Sequence, residues 1–230
     1  CELRVAAHLS GDARLRRCFE ERGDDPFVEL VERCAVVKDR AAAKQLVYAV
    51  LLGQSTRKGA RALDVDARAA VDAVQRVRAL FPALDAYRAT VTAACREHGF
   101  VETVLGRRRR LPDIHSTDPK RRRKAERQAL NAVVQGSAAD LVKRAMASMV
   151  ASFGAKYDAR RRPRLVLQLH DELVFEVPTQ HLATCALDVS SALEAATALE
   201  GVPAEVRLRA GPSWAALEPY DPHSAAPTTG

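Results

Sequence analysis

The sequence lacks the features that define several classes of protein. No apolar run reaches the roughly 18 residues of a membrane-spanning helix, and charged residues make up 28% of the 230 residues. The five cysteines are odd in number, and no two are spaced as C-x-x-C. These absences argue against a membrane-spanning chain, a disulfide framework and a structural zinc site, and they favour a reducing compartment.

A start methionine and a signal-peptide pattern are also lacking, because the chain begins at Cys1. We therefore expect a piece of a longer protein. A hydrophobic content of 47% excludes disorder along the whole length. The length suits one large globular domain or two small ones.

The net charge of +7 is concentrated in one segment. Residues 107–127 hold ten basic and three acidic side chains, so this segment carries as much net charge as the whole chain. Two basic clusters, Arg107–Arg110 and Lys120–Lys124, flank residues 111–114. This pattern favours a loop that contacts phosphates, with a solvated face as the alternative.

Hydrophobic periodicity predicts a mostly helical chain with one apolar hairpin. Two short β-rich segments flank His170, Asp171 and Glu172, which predicts a hairpin with polar groups at its tip. A strand is predicted over 204–210, and disorder over 219–230. The predicted helices are 40–53, 67–79, 83–97, 121–151 and 179–199, and the predicted hairpin strands are 165–169 and 173–177.

Three groups of residues could carry chemistry. Asp171 and Glu172 offer carboxylate oxygens to a hard divalent metal such as Mg²⁺, and the alternative is an acidic turn that binds nothing. Arg40, Lys44 and Tyr48 share one helix face at i, i+4 and i+8. Two cations followed by an aromatic suit a triphosphate and a stacked base, whereas the alternative is an ordinary amphipathic face.

The third group lies on the long predicted helix. Arg127, Asn131 and Gln135 form a polar stripe that could read sugar or base edges in a minor groove, unless it is a polar solvent face. The small residues Gly136–Ala139 follow directly and permit close packing of another element.

Several strings, taken in order, resemble the family A DNA polymerases. They are Glu2–Ser10, Gly106–Arg109, Ala125–Asn131, Gln135–Asp140 and Leu167–Leu173, and the resemblance extends over about residues 1–217. Within the family, Val47–Val50 and Leu111–His115 are most similar to polymerase nu, and next to polymerase theta.

The resemblance implies an α+β, right-hand polymerase fold in which helical fingers and a palm with a small antiparallel sheet are present and the thumb is absent. It implies a palm segment over 1–18, fingers over 19–120, palm over 121–218 and a tail over 219–230.

The resemblance also implies a role for each candidate residue. Asp171 would bind the catalytic metals with support from Glu172, and His170 would lie near the primer end. Arg40 and Lys44 would hold the triphosphate, Tyr48 would stack on the incoming nucleotide, and Glu2 would exclude a ribose 2′-OH. The residues expected to contact DNA are Arg107, Arg108, Arg109, Arg127, Asn131 and Gln135.

The implied reaction is nucleotidyl transfer from a dNTP to a primer 3′-OH, assisted by two Mg²⁺ ions. The implied partners are primer-template DNA and dNTP, with no membrane and no indicated oligomer. A role in DNA repair and a nuclear location follow from the resemblance to polymerase nu alone.

The chain departs from the family pattern in two ways. The family's second metal-binding Asp would lie before Cys1, so we expect this chain alone to be inactive, although a longer parent could be active. An alternative is a polymerase-derived module that binds DNA without catalysis. Leu52 replaces an aromatic residue expected beside the templating base, which affects template positioning.

Overall fold

The computed structural model describes residues 1–20, 25–53, 65–159 and 162–224. Its helices are α1 (Glu2–Ser10), α2 (Ala13–Glu20), α3 (Pro26–Arg33), α4 (Arg40–Leu51), α5 (Ala67–Leu80), α6 (Pro82–His98), α7 (Pro119–Lys156) and α8 (Leu182–Thr197). Its strands are β1 (Phe100–Glu102), β2 (Arg108–Arg110), β3 (Arg164–Leu169), β4 (Glu172–Glu176), β5 (Arg209–Ala210) and β6 (Glu218–Pro219). Short 3-10 turns cover Pro112–His115, Thr179–His181 and Trp214–Ala216.

The described strands form three antiparallel pairs, β1–β2, β3–β4 and β5–β6. Together with the helices, these pairs confirm the predicted α+β class and the apolar hairpin. In the part of the chain that the structure describes, no helix has the length and apolar character needed to cross a membrane.

Two compact units divide the chain. The first comprises Cys1–Ala138 with Glu200–Val202, and the second comprises Ala139–Leu199 with the chain from Pro203 onward. These limits differ from the fingers and palm boundaries expected from the resemblance, and the assignment of those subdomains stays a prediction.

Asp12 organises the helices of the first unit. Its side chain is 2% exposed and accepts hydrogen bonds from the backbone N–H groups of Leu15 (2.9 Å) and Ala83 (3.1 Å). Leu15 lies in α2 and Ala83 is the second residue of α6, so one carboxylate satisfies donors at the first turns of two helices. The buried side chains of Val5, Leu15 and Phe81 belong to the core that these helices enclose.

The hairpin of β1 and β2 packs on α7 within the first unit. The buried hydroxyl of Ser137 accepts from the N–H of Val104 at 2.9 Å. A Cβ on Gly136 would lie only 2.8 Å from Cγ2 of Thr103. The predicted close packing on a small-residue patch is therefore confirmed at Gly136 and Ser137.

The second unit has its own core. Met149 and Phe153 from α7 pack with Cys185 and Val189 from α8, and Phe175 of β4 joins them. The rings of Phe153 and Phe175 meet edge-on at 5.9 Å. This core fixes the β3–β4 hairpin on one side through β4.

Two predictions near the C-terminus need correction. The strand expected over 204–210 is confined to Arg209–Ala210, because only these two residues pair with β6 among the described residues. Pro219 itself pairs with Arg209, so the predicted tail does not begin at residue 219. The rest of that prediction, from residue 225 on, lies outside the described residues.

Candidate nucleic-acid and nucleotide site

The helix α4 carries the candidate nucleotide-binding residues. Asp39 caps its N-terminus by accepting from the N–H of Ala42 at 2.8 Å. The side chains of Arg40 and Lys44 are exposed, and Tyr48 is half-buried. The opposite face, with Leu46 as a fully buried member, packs into the core of the first unit. The predicted helix is confirmed, and the two cations have access to solvent.

Arg40 has an acidic partner that the sequence did not reveal. Its Nε lies 2.5 Å from a carboxylate oxygen of Asp25, and its guanidinium sits 5.2 Å from the ring centre of Phe27. Partial burial raises the pKa of Asp25, but hydrogen bonds from Arg40 and from the N–H of Phe27 outweigh that effect and hold the pKa below its ordinary value. Any anion that binds Arg40 would therefore compete with Asp25 for its positive charge.

The C-terminal end of α4 meets the polar stripe of α7. With its amide oriented to satisfy both groups, Asn131 donates to the carbonyls of Leu52 (3.2 Å) and Arg127 (3.3 Å). Gly53 has a φ of +62°, and a Cβ built there would lie 3.4 Å from Cγ of Arg127. The structure thus brings Arg127 and Asn131 to the end of the helix that holds Tyr48. Gln135 lies two turns beyond Arg127 and is exposed.

The first basic cluster is a strand and not the expected loop. Because side chains alternate along a strand, Arg108 and Arg109 point to opposite faces of β2, and Arg107 directly precedes the strand. Arg107 donates to the carbonyl of Gly136 at 3.2 Å, on the α7 side. Arg108 pairs with Glu102 at 2.6 Å and lies 4.7 Å from the ring centre of Phe100. The three predicted DNA contacts are therefore divided between two faces of the hairpin.

The second basic cluster lies in the first turns of α7, so the loop prediction is wrong there too. Arg121 pairs with Asp113 at 2.6 Å, and Arg122 donates to the carbonyl of Ser116 at 3.2 Å. Part of this charge is consequently already engaged with the protein.

Glu2, the predicted steric gate, belongs to the first turn of α1 and is half-buried. It lies in the first compact unit, as do the candidate residues of α4.

The acidic tip belongs to the second unit. Leu169 pairs with Glu172, so His170 and Asp171 form a two-residue turn, and all three polar tip residues are exposed. His170 has a φ of +55°, a conformation that a side chain with a Cβ rarely adopts. The side-chain amide of Gln168 donates to its carbonyl at 3.2 Å. Such strain concentrates at functional turns.

The strands behind the tip are less packed than the sequence predicted. Val166, Leu167 and Leu169 of β3 are all substantially exposed, the last by 42%. The register shifts between Leu165 and Leu167, a bulge that bends this strand.

The donor set at the tip suits a metal only in part. Asp171 and Glu172 present hard oxygen atoms of the kind Mg²⁺ takes. Within the described ranges, however, no group of three or more His, Cys, Asp or Glu side chains is arranged to hold a metal ion. A two-metal site would need ligands beyond those that surround this tip.

The role of Asp25 as a helix cap could have been found from the sequence, because an Asp before a Pro is typical of a helix start, but its pairing with Arg40 could not. The contact of Asn131 with Leu52 could not have been predicted from the sequence, since it joins helices far apart in the chain.

Cationic side chains on α4 and a polar stripe on α7 suit contact with an anionic polymer such as nucleic acid. The chain belongs to DNA polymerase family A, whose model matches residues 1–216.

Relatives support this assignment. The thermostable DNA polymerase I of Thermus filiformis is 39% identical over 223 residues, which cover 93% of this chain and 26% of that protein. The DNA polymerase I of Chloroflexus aurantiacus is 35% identical over 224 residues, with coverages of 95% and 23%. This chain thus spans about a quarter of the length of these relatives.

A solved structure agrees with the fold. The POL domain of Pol1 from M. smegmatis, in complex with DNA primer-template and dNTP, superposes with a TM-score of 0.80 at 34% identity. The match covers 89% of this chain and 36% of that chain. These relatives are bacterial, so the expected closeness to polymerase nu or theta has no support from them.

Proposed function

We propose that the protein containing this chain is a DNA polymerase that transfers nucleotides from dNTP to a primer 3′-OH under the direction of a template. The observation that carries the proposal is the likeness, at 34% identity and a TM-score of 0.80, to a chain solved with primer-template DNA and dNTP. Family membership over residues 1–216 supports the same reaction class.

In this proposal α4 binds the incoming nucleotide. Exposed Arg40 and Lys44 bind the triphosphate, and Tyr48 stacks on the nucleotide. The ion pair of Arg40 with Asp25 then exchanges for an ion pair with phosphate, which is the more highly charged partner. Glu2 excludes a ribose 2′-OH.

The DNA lies against the polar stripe of α7 and the adjoining face of the first hairpin. Arg127, Asn131 and Gln135 contact template or primer, and Arg107 and Arg109 extend that surface. Arg108 contributes least, because it faces the other side of its strand and is paired with Glu102.

Mg²⁺ supplies charge stabilisation of the attacking and leaving oxygens when it is bound. Asp171 and Glu172 hold it, and His170 orients the primer end. Since the described residues offer no third protein ligand at the tip, we expect the 230-residue chain alone not to extend a primer.

Primer extension by the longer protein tests the proposal. Asp171→Asn removes the ligand charge and keeps the shape of the turn, so extension should fall at least 100-fold while DNA binding persists. Glu176→Gln, at the far end of β4, is the matched control and should leave extension unchanged. Full extension by the Asp171 variant would contradict the assigned role.

A second candidate is a polymerase-derived module that binds DNA without catalysis. The absence of a three-ligand metal group in the described part of the chain favours it. It predicts that the longer protein binds primer-template DNA equally well with and without Mg²⁺ and never extends the primer. Roles in DNA repair and in the nucleus stay predictions from the resemblance to polymerase nu.

A further inference from the structure

Arg88 of α6 lies at the end of α4, where no pattern in the sequence predicts a cation. The central carbon of its guanidinium is 3.9 Å from the position that a Cβ atom on Gly53 would occupy. Cγ and Cδ of Arg127 lie 3.4 and 3.9 Å from the same position. Two arginine side chains from different helices therefore approach one glycine.

Neither arginine has an acidic partner among the described residues. Within the described residues, neither side chain of Arg88 and Arg127 takes part in an ion pair, whereas Arg96 pairs with Glu126 at 2.5 Å. Two arginine side chains that approach the same glycine bring positive charge to this end of α4, which favours a bound anion. The negative end of the α4 dipole offsets only about half a unit charge.

The position along α4 indicates what the anion is. Gly53 lies nine residues beyond Lys44, which is about 14 Å at the helical rise of 1.5 Å per residue. A triphosphate held by Arg40 and Lys44 does not extend that far. A nucleic-acid backbone does, because its phosphates repeat along the whole strand.

We propose that Arg88 and Arg127 together bind one phosphodiester group of the bound DNA at the C-terminal end of α4. The inference rests on the proposed polymerase function and adds Arg88 to its DNA-binding residues. A planar guanidinium can donate two hydrogen bonds to a phosphate, which suits Arg better than Lys at this point.

The test is the salt dependence of DNA binding by the full chain. A fluorescently labelled primer-template duplex with a single-stranded template overhang is titrated at several KCl concentrations. For Arg88→Gln, the slope of log K against log [KCl] should fall by about 0.7–0.9, the value for one lost phosphate contact. Affinity at low salt should fall several-fold.

Arg96→Gln is the matched control. It lies on the same helix, two turns from Arg88, and removes the same charge, but its guanidinium is already paired with Glu126. Its slope should equal that of the unaltered chain. Equal losses of slope in both variants would overturn the inference, because they would reflect net charge alone.

Failure of the inference and failure of the proposed function give different results. If neither the unaltered chain nor the longer protein that contains it binds the duplex in a salt-dependent way, the proposed function fails. If the duplex is bound but Arg88→Gln keeps the full slope, only the inference fails. If the Arg88→Gln variant does not fold, Arg88→Lys tests the inference instead. This variant keeps the charge, so the salt slope should be unchanged while the affinity for DNA falls several-fold. An unchanged affinity would overturn the inference.

Discussion

With its amide oriented to satisfy both neighbouring carbonyls, the side-chain nitrogen of Asn131 lies 3.2 Å from the carbonyl oxygen of Leu52, and this contact joins the end of α4 to α7. The carbonyl belongs to the residue that caps the helix, where backbone acceptors have no partner within the helix. Because the contact uses the backbone of Leu52, it does not depend on which side chain stands at this position. The anchoring of α4 here is therefore independent of the Leu52 side chain.

Replacing Asn131 should loosen this anchor. Asn131→Ala removes the donor and should lower the free energy of unfolding by about 1 kcal/mol. Asn131→Asp should cost about 0.5 kcal/mol more, because a carboxylate repels both the carbonyl and the negative end of the helix dipole. Urea denaturation at pH 7 measures both. Gln135→Glu adds the same charge one turn away at an exposed position and should change stability little; a loss as large as that of Asn131→Asp would contradict the explanation.

Two glycines of α7 should respond to alanine in opposite directions. In Gly136→Ala the new methyl group would meet Thr103 at 2.8 Å and Arg107 at 3.0 Å, so stability should fall by about 1–3 kcal/mol. Around Gly154 nothing lies within 4 Å, so Gly154→Ala should raise stability by up to about 1 kcal/mol through helix propensity. Thermal unfolding of the two variants measures both changes. A Gly136→Ala variant that is more stable than the unaltered chain would contradict the close packing around Gly136.

Local patterns in the sequence predicted the helices and the acidic hairpin well. The spacing of apolar residues indicated α4, α5, α6 and α7, and the two apolar segments around His170 predicted β3 and β4. These signals succeed because periodicity and turn chemistry act over a few neighbouring residues.

Longer-range relationships were not predictable in the same way. The three-residue strands β1 and β2 are too short to show a period, so the division of Arg108 and Arg109 between two faces was missed. The partner of Arg40 depends on how α3 packs on α4, which no local pattern encodes. Arg88 is one of several charged residues on the predicted helix 83–97, and its position beside Gly53 follows only from the fold.

Because Asp12 caps two helices, its replacement should lower the stability of the fold more than the loss of a single cap. Asp12→Ala leaves the N–H groups of Leu15 and Ala83 without their acceptor, so the free energy of unfolding should fall by about 2 kcal/mol, twice the cost of an ordinary cap. Asp66→Ala is the comparison, because Asp66 is exposed and caps α5 alone through the N–H of Ala69. Equal losses in the two variants, measured by urea denaturation, would show that the second cap contributes nothing.

The basic turns at the start of α7 should contribute to DNA binding less than their charge suggests. Neutralising Arg121, Arg122 and Arg123 together would reduce the salt slope by about three units if each contacted a phosphate. Because Arg121 is paired with Asp113 and Arg122 with the carbonyl of Ser116, we expect a reduction of about one. Titration of a labelled duplex at several salt concentrations measures it. A reduction of the salt slope by three would mean that Arg121 and Arg122 both exchange their internal contacts for phosphate. No reduction would mean that these three arginines form a solvated face.

Alkaline pH should weaken the core of the second unit. Burial, and after it the charge of Asp188, raises the pKa of Cys185 from 9.0 to about 11. Burial likewise raises the pKa of Tyr157 from 10.0 to about 12. Above the ordinary pKa the unfolded chain has lost protons that the folded chain still holds, so stability is complete below about pH 9 and falls as pH rises toward 12.

Substitution within that core tests the cause of the alkaline loss. Cys185→Ala removes the thiol proton, so the fall in unfolding free energy between pH 9 and 11 should become shallower than in the unaltered chain. Val189→Ala makes a cavity in the same cluster without a titrating group, and should lower stability by about 2 kcal/mol at every pH with an unchanged slope. Denaturant titrations at pH 8, 9, 10 and 11 supply the slopes. If the two variants share one slope, the thiol of Cys185 does not account for the alkaline loss.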